Sequence, residues 1–132
     1  GMNEKAEEII RNVDSRYRRW GMYWDHQEFG GHYFRPLSAL AIPNAFLGLS
    51  YDGETLCIAP ARPLPVGRWC VLLPGACGIY HQTTTGGRLV LAIGTITPAS
   101  IELPATGEVS LVGFPAHYTA AAQEQRTVFT RV

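Results

Sequence analysis

The hydrophobic pattern of this 132-residue chain changes period once, at Tyr51, and that change constrains the fold more than any other feature. Before it, Ile9, Ile10, Val13, Tyr17 and Trp20 recur at helical spacing, the mark of one apolar stripe on an α-helix. After it, apolar residues come in short runs separated by Gly and Pro, as strands joined by tight turns require. The expected fold is α+β: two N-terminal helices packed against a C-terminal antiparallel β structure, sandwich-like or a curved sheet. A chain of this length reads as a single domain over 1–132, with a helical part over 2–50 and a β part over 51–132.

The first helix is predicted over 3–20. Asn3 is placed to cap it, and Glu4, Glu7 and Glu8 put negative charge at the positive end of the helix dipole. Gly21 ends it, and the apolar stripe predicts a buried face. A second helix is predicted over 36–48, opened by Pro36 and kinked at Pro43. Leu37, Leu40, Ala41, Phe46 and Leu47 make it apolar nearly all round, which predicts burial on more than one side. Strands are predicted over 55–59, 68–73, 78–84, 88–97, 100–103, 108–113 and 127–132. Asp52-Gly53 signals a tight turn, Thr85-Gly86-Gly87 a hairpin turn, and 114–126 a loop.

Lys plus Arg and Asp plus Glu number 11 each, a balance without the basic footprint of a nucleic-acid or anionic-membrane binder. The cluster Arg16, Arg18, Arg19 suits a helix C-terminus. Cys57, Cys70 and Cys77 are an odd count without CxxC spacing, so buried free thiols are expected rather than a disulfide framework or a zinc site. The longest apolar run is far short of the ~20 residues a spanning helix needs, and no N-terminal signal is visible. Gly1 before Met2 reads as a tag remnant. Free cysteines and no visible signal point to the cytoplasm.

The segment from Trp24 to Gly53 concentrates the candidate chemistry. Of the 14 aromatic residues, half lie between Tyr17 and Phe34, beside His26, His32, Asp25, Glu28 and Arg35. His26, Glu28 and His32 have metal-ligand chemistry, but their spacing matches no metal motif. Asp25 and Glu28 could serve as an acid–base pair, yet two carboxylates on one short loop make a poor clamp around a scissile bond. No serine sits in GxSxG, and Gly30-Gly31 and Gly86-Gly87 lack the P-loop lysine. Carbohydrate contact fits best, without catalytic residue, metal or cofactor. Arg35 is a fork-shaped donor for hydroxyls or carboxylates, or the ion-pair partner of Glu28 or Asp25. Trp24 and Tyr33 could stack on a sugar ring or pack in a core. His32 fits a hydrogen-bonded core histidine as well as a ligand contact.

The run Glu28-Phe29-Gly30-Gly31-His32-Tyr33-Phe34-Arg35, followed by an apolar helix and Gly48-Leu49-Ser50-Tyr51-Asp52-Gly53, resembles the C-terminal part of the bile-acid β-glucosidase, or non-lysosomal glucosylceramidase, group of glycoside hydrolases. Leu56-Cys57-Ile58-Ala59-Pro60 and Gly87-Arg88-Leu89-Val90-Leu91 look like strands that follow in that group. The resemblance covers roughly residues 5–103 and is most specific over 28–60. It implies the end of an (α/α)6 barrel, and it implies that Arg35 and Glu28 hold a sugar, with His26 and His32 as neighbours. Phe29 stands where the family has a cysteine. The family's catalytic carboxylates lie in upstream barrel segments for which this chain has no room. The implied role is a glycosidase-derived C-terminal domain that contacts carbohydrate or stabilises a catalytic partner chain, without turnover of its own. A stand-alone carbohydrate-binding module and a ligand-free assembly domain are the alternatives. Barrel helices left alone would expose apolar stripes, so a homodimer or higher assembly burying the 3–20 and 36–48 helices is expected.

Overall fold

The computed structural model describes residues 2–21, 41–104 and 107–132. It divides into two units, Gly1–Ser38 and Ala39–Val132, and the class is α+β with mostly β content.

In the first unit, helix α1 runs Asn3–Arg19. Met2, not Asn3, holds the cap position, and its backbone carbonyl rather than a side chain accepts the Ala6 N–H at 3.0 Å. Gly21, at φ 68°, donates to the Arg18 carbonyl and closes the helix where expected. No residue of α1 is buried; Ile9 is 62% and Trp20 70% exposed, against the expected buried face. A helix presents its stripe to one side and cannot cover it alone, and α1 is the one element among the described residues of its unit.

The second unit opens with helix α2, Ala41–Leu47, where the predicted helix ends; the 36–40 part of that prediction lies outside the described residues. Asn44 docks α2 on strand β3 (Gly67–Leu73): its Nδ2 donates to the Leu72 carbonyl at 2.7 Å, and the Leu72 N–H donates to its Oδ1 at 3.1 Å. Because β3 is an edge strand, this amide acts as a short stretch of neighbouring strand. Phe46 packs against Trp69 with ring centroids 6.3 Å apart, and Leu47 is fully buried.

The remaining strands are β1 (Leu49–Tyr51), β2 (Thr55–Ile58), β4 (Ala76–Gln82), β5 (Gly86–Gly94), β6 (Ser100–Pro104), β7 (Glu108–Val112), β8 (Tyr118–Ala122) and β9 (Arg126–Arg131). One sheet has the order β1-β2-β6-β9-β8 and the other β3-β4-β5-β7. Antiparallel pairing dominates, but β2 pairs with β6, and β5 with β7, in parallel. The cause is the route of the chain. It leaves β5, crosses to the other sheet as β6, and returns as β7 in the direction of β5. The Asp52-Gly53 turn forms as expected. The Asp52 carboxylate accepts the Glu54 and Thr55 N–H groups at 2.8 and 2.7 Å, and these bonds hold its carboxyl below the usual range.

Alternation along the strands builds the core. Val71, Tyr80 and Leu89 from one sheet meet Leu56, Ile101, Leu103 and Phe129 from the other in a single buried cluster, a sandwich-like arrangement. All three cysteines are free. Cys70 is exposed rather than buried, because its neighbour Val71 takes the inward position on β3.

Candidate functional site

The sequence candidates Trp24, His26, Glu28, His32, Tyr33 and Arg35, with Asp25, lie outside the described residues. The described residues form a different site, on the outer face of the β3-β4-β5-β7 sheet. It is an open cleft of about 420 Å³ where the β4–β5 hairpin meets the start of β7.

The site begins with a misleading glycine pair. Gly86-Gly87 reads as the hairpin turn, yet both residues lie within β5. The turn is Thr83 to Gly86, where the Thr83 N–H donates to the Gly86 carbonyl at 2.9 Å. A Cβ on Gly87 would overlap the Tyr80 hydroxyl, and a Cβ on Gly86 would overlap the Glu108 backbone. The pair is therefore a device for close approach. One glycine seats the fully buried Tyr80 ring, and the other lets β7 lie flush against β5.

Buried Gln82 fixes the loop above this floor. Its Nε2 donates to the Thr83 carbonyl at 2.9 Å and the Gly86 carbonyl at 3.3 Å, and its Oε1 accepts the Tyr80 hydroxyl at 3.4 Å. The Thr83 hydroxyl also donates to the Gly86 carbonyl, at 2.9 Å. The loop is thus held from beneath by a buried side chain.

Register then sets the outward chemistry. His81 pairs with Arg88 across β4 and β5, and Arg88 with Ser110 across β5 and β7. Arg68 pairs with His81 from β3, so Arg68, His81, Arg88 and Ser110 form one row across four strands. Tyr80 and Leu89, one residue from His81 and Arg88, point into the core, so the row points outward. Glu108, opposite Gly86, lies one pleat away on β7 and lines the same cleft. No side-chain hydrogen bond or ion pair involves Arg68, His81, Arg88 or Glu108 among the described residues; the Glu108 backbone N–H donates to the Thr85 carbonyl at 3.1 Å.

This arrangement offers a fork-shaped cation, an imidazole, hydroxyls and one carboxylate over a backbone floor. That is binding chemistry for a polar, hydroxyl-bearing ligand. Among the described residues no aromatic ring lines the cleft. Trp69 is half-buried under α2, with Nε1 donating to the Pro65 carbonyl at 3.2 Å, and Trp20 is exposed on α1. Among the described residues no group of three or more His, Cys, Asp or Glu side chains could hold a metal ion. No described helix is long and apolar enough to cross a membrane.

Sequence reasoning missed His81, Arg88, Glu108 and Ser110. The signal was present in the alternation: Tyr80 and Leu89 mark the inward positions, which leaves His81 and Arg88 outward.

Compared with protein families, curated proteins and solved structures, the chain returned no match.

Proposed function

We propose that this chain is a non-catalytic module of glycoside-hydrolase ancestry that contacts carbohydrate, alone or beside a catalytic partner chain. The observation that carries the reading is the cleft: a rigid backbone floor between Gly86 and β7, rimmed by Thr85, Ser110, His81, Arg88 and Glu108. Its volume, about 420 Å³, lies within the range of small-molecule sites. Among the described residues a single carboxylate lines it, whereas glycoside hydrolysis uses two. The glycosidase-like residues over 28–60 add support from the sequence.

An NMR titration of the full chain with glucosides, xylosides and short oligosaccharides tests this. Saturable shifts confined to the amides of 81–88 and 108–110 are expected, with no hydrolysis. Absence of shifts there with every sugar overturns the cleft reading. Turnover lost on Glu28→Gln or Asp25→Asn overturns the non-catalytic one.

A second reading, an assembly domain, is favoured by α1, whose Ile9, Val13 and Trp20 are all exposed. Its first turn carries Glu4 and its last turn Arg16, Arg18 and Arg19, while Glu7 and Arg18 are paired within the helix with Arg11 and Asp14, so two copies set antiparallel would bring unlike charge together at their ends. The expected outcome is a homodimer by light scattering that falls to monomer on Ile9→Glu with Val13→Glu; a wild-type monomer at all concentrations ends this reading.

A further inference from the structure

The geometry points to a narrower ligand class: the cleft is a site for acidic saccharides, those bearing a carboxylate or sulfate. This rests on the carbohydrate reading of the same cleft. Arg88 is the centre of the argument. It is exposed at the middle of the outward row, with His81 on one side and Ser110 on the other. Strands lie about 4.8 Å apart, so Arg68 follows roughly 10 Å from Arg88, beyond His81. The two arginines, with His81 between them, span more than one sugar ring, so an oligosaccharide seated in the cleft at Arg88 can extend across β4 to Arg68 beyond the cleft. An arginine fork matches the paired oxygens of a carboxylate or sulfate.

Glu108 fixes where an anionic group can sit. It lies two register positions from Arg88 on the adjacent parallel strand, and the two form no ion pair. A cation and an anion line one cleft and remain apart. Arg88 is the group that would meet an anionic substituent, while Glu108 would repel one and accept sugar hydroxyls at its own end of the cleft. Among the described residues the row also has no aromatic ring to stack on a neutral sugar.

Calorimetry of the full chain with tri-galacturonate, its fully methyl-esterified form and a sulfated disaccharide tests the proposal. The ester keeps the sugar and removes the charge. Binding of tri-galacturonate at least tenfold tighter than its ester is expected. That preference should vanish in Arg88→Ala, weaken in Arg88→Lys, and persist in Arg126→Ala, which removes the same charge from the opposite sheet. The sulfated disaccharide separates the two sources of anion: its binding relative to the uronate trimer says which group the fork reads. Equal binding of acid and ester overturns the acidic-saccharide proposal while leaving the carbohydrate module standing. Binding of none of the three, with no shifts from any neutral sugar, overturns both. Equal loss in Arg126→Ala and Arg88→Ala would assign the effect to net charge and overturn the site. Circular dichroism of each variant separates lost binding from lost folding, and Arg88→Lys carries the test if Arg88→Ala does not fold.

Discussion

The outer faces of the two sheets carry the same kind of charge pair with opposite outcomes. On the five-stranded sheet, Glu102 and Arg126 are diagonal neighbours on β6 and β9, and they form a salt bridge. Cys57 on β2 joins them, its Sγ 3.8 Å from Glu102 Oε2. On the four-stranded sheet, Arg88 and Glu108 are also two register positions apart, on β5 and β7, and do not pair. Two local differences separate the faces: β5 and β7 run parallel where β6 and β9 run antiparallel, and Glu108 faces a glycine where Glu102 faces Val128. Gly86, opposite Glu108, brings β7 in close but offers no side chain to fill the space above the floor. Charge satisfied from within the protein stabilises a surface; charge left open beside a cleft is available to a ligand.

The largest expected effect tests the floor. Tyr80→Ala empties the ring seat beneath Gly87 and should cost about 3–5 kcal/mol by urea unfolding. A loss comparable to that of a surface substitution would show that the ring does not organise the hairpin. Gln82→Ala leaves the Thr83 and Gly86 carbonyls with fewer donors and should cost about 1–3 kcal/mol. It should also broaden the amide resonances of 83–86, since the loop loses its support. Full stability with a loosened loop would mean that Gln82 serves the site alone.

Smaller effects sharpen the contrast at the paired face. Glu102→Gln removes a bridge whose arginine side chain is half exposed, so stability should change by no more than about 1 kcal/mol. The chemical effect should be clearer. Burial, then the Glu102 charge, pushes the Cys57 thiol up, while Arg126 opposes. Removing Glu102 should therefore lower the Cys57 pKa, read by thiolate absorbance with Cys70 and Cys77 changed to serine. A folded pKa above the unfolded one contributes stability that is fully present below the unfolded thiol pKa. It is lost as pH rises through the folded value, so the Cys57 contribution should fade in the alkaline range. Arg88→Ala, with no partner among the described residues to lose, should change stability by about 0.5 kcal/mol or less. A larger loss would move Arg88 from ligand binding to structure.

Elements whose cause is local were legible in the sequence. The α1 stripe, Gly21 and the Asp52 turn rest on spacing and turn chemistry, and they form close to their expected positions. Strand β8 was not legible: Tyr118–Ala122 ends in three alanines that carry no inward-outward alternation. It is held by pairing with β9 and by Tyr118, whose hydroxyl donates to the Pro98 carbonyl at 2.9 Å and whose ring meets Phe114 edge-on. Strand β1 is three residues long and exists because β2 offers it an edge.

The cleft shows where the boundary falls. A turn centred on Gly86 would have paired His81 with Leu91, and the outward row would not exist. The observed turn pairs it with Arg88. By itself the sequence determined that a helical part precedes a β part, where the first helix ends, and which strand residues are apolar enough to turn inward. The tertiary structure alone decided that Gly86 closes the turn, that Gly87 lies past it, and that both serve close approach within β5. The reason is steric: the space those glycines leave is claimed by the Tyr80 ring and the Glu108 backbone, neither of which is their neighbour in sequence.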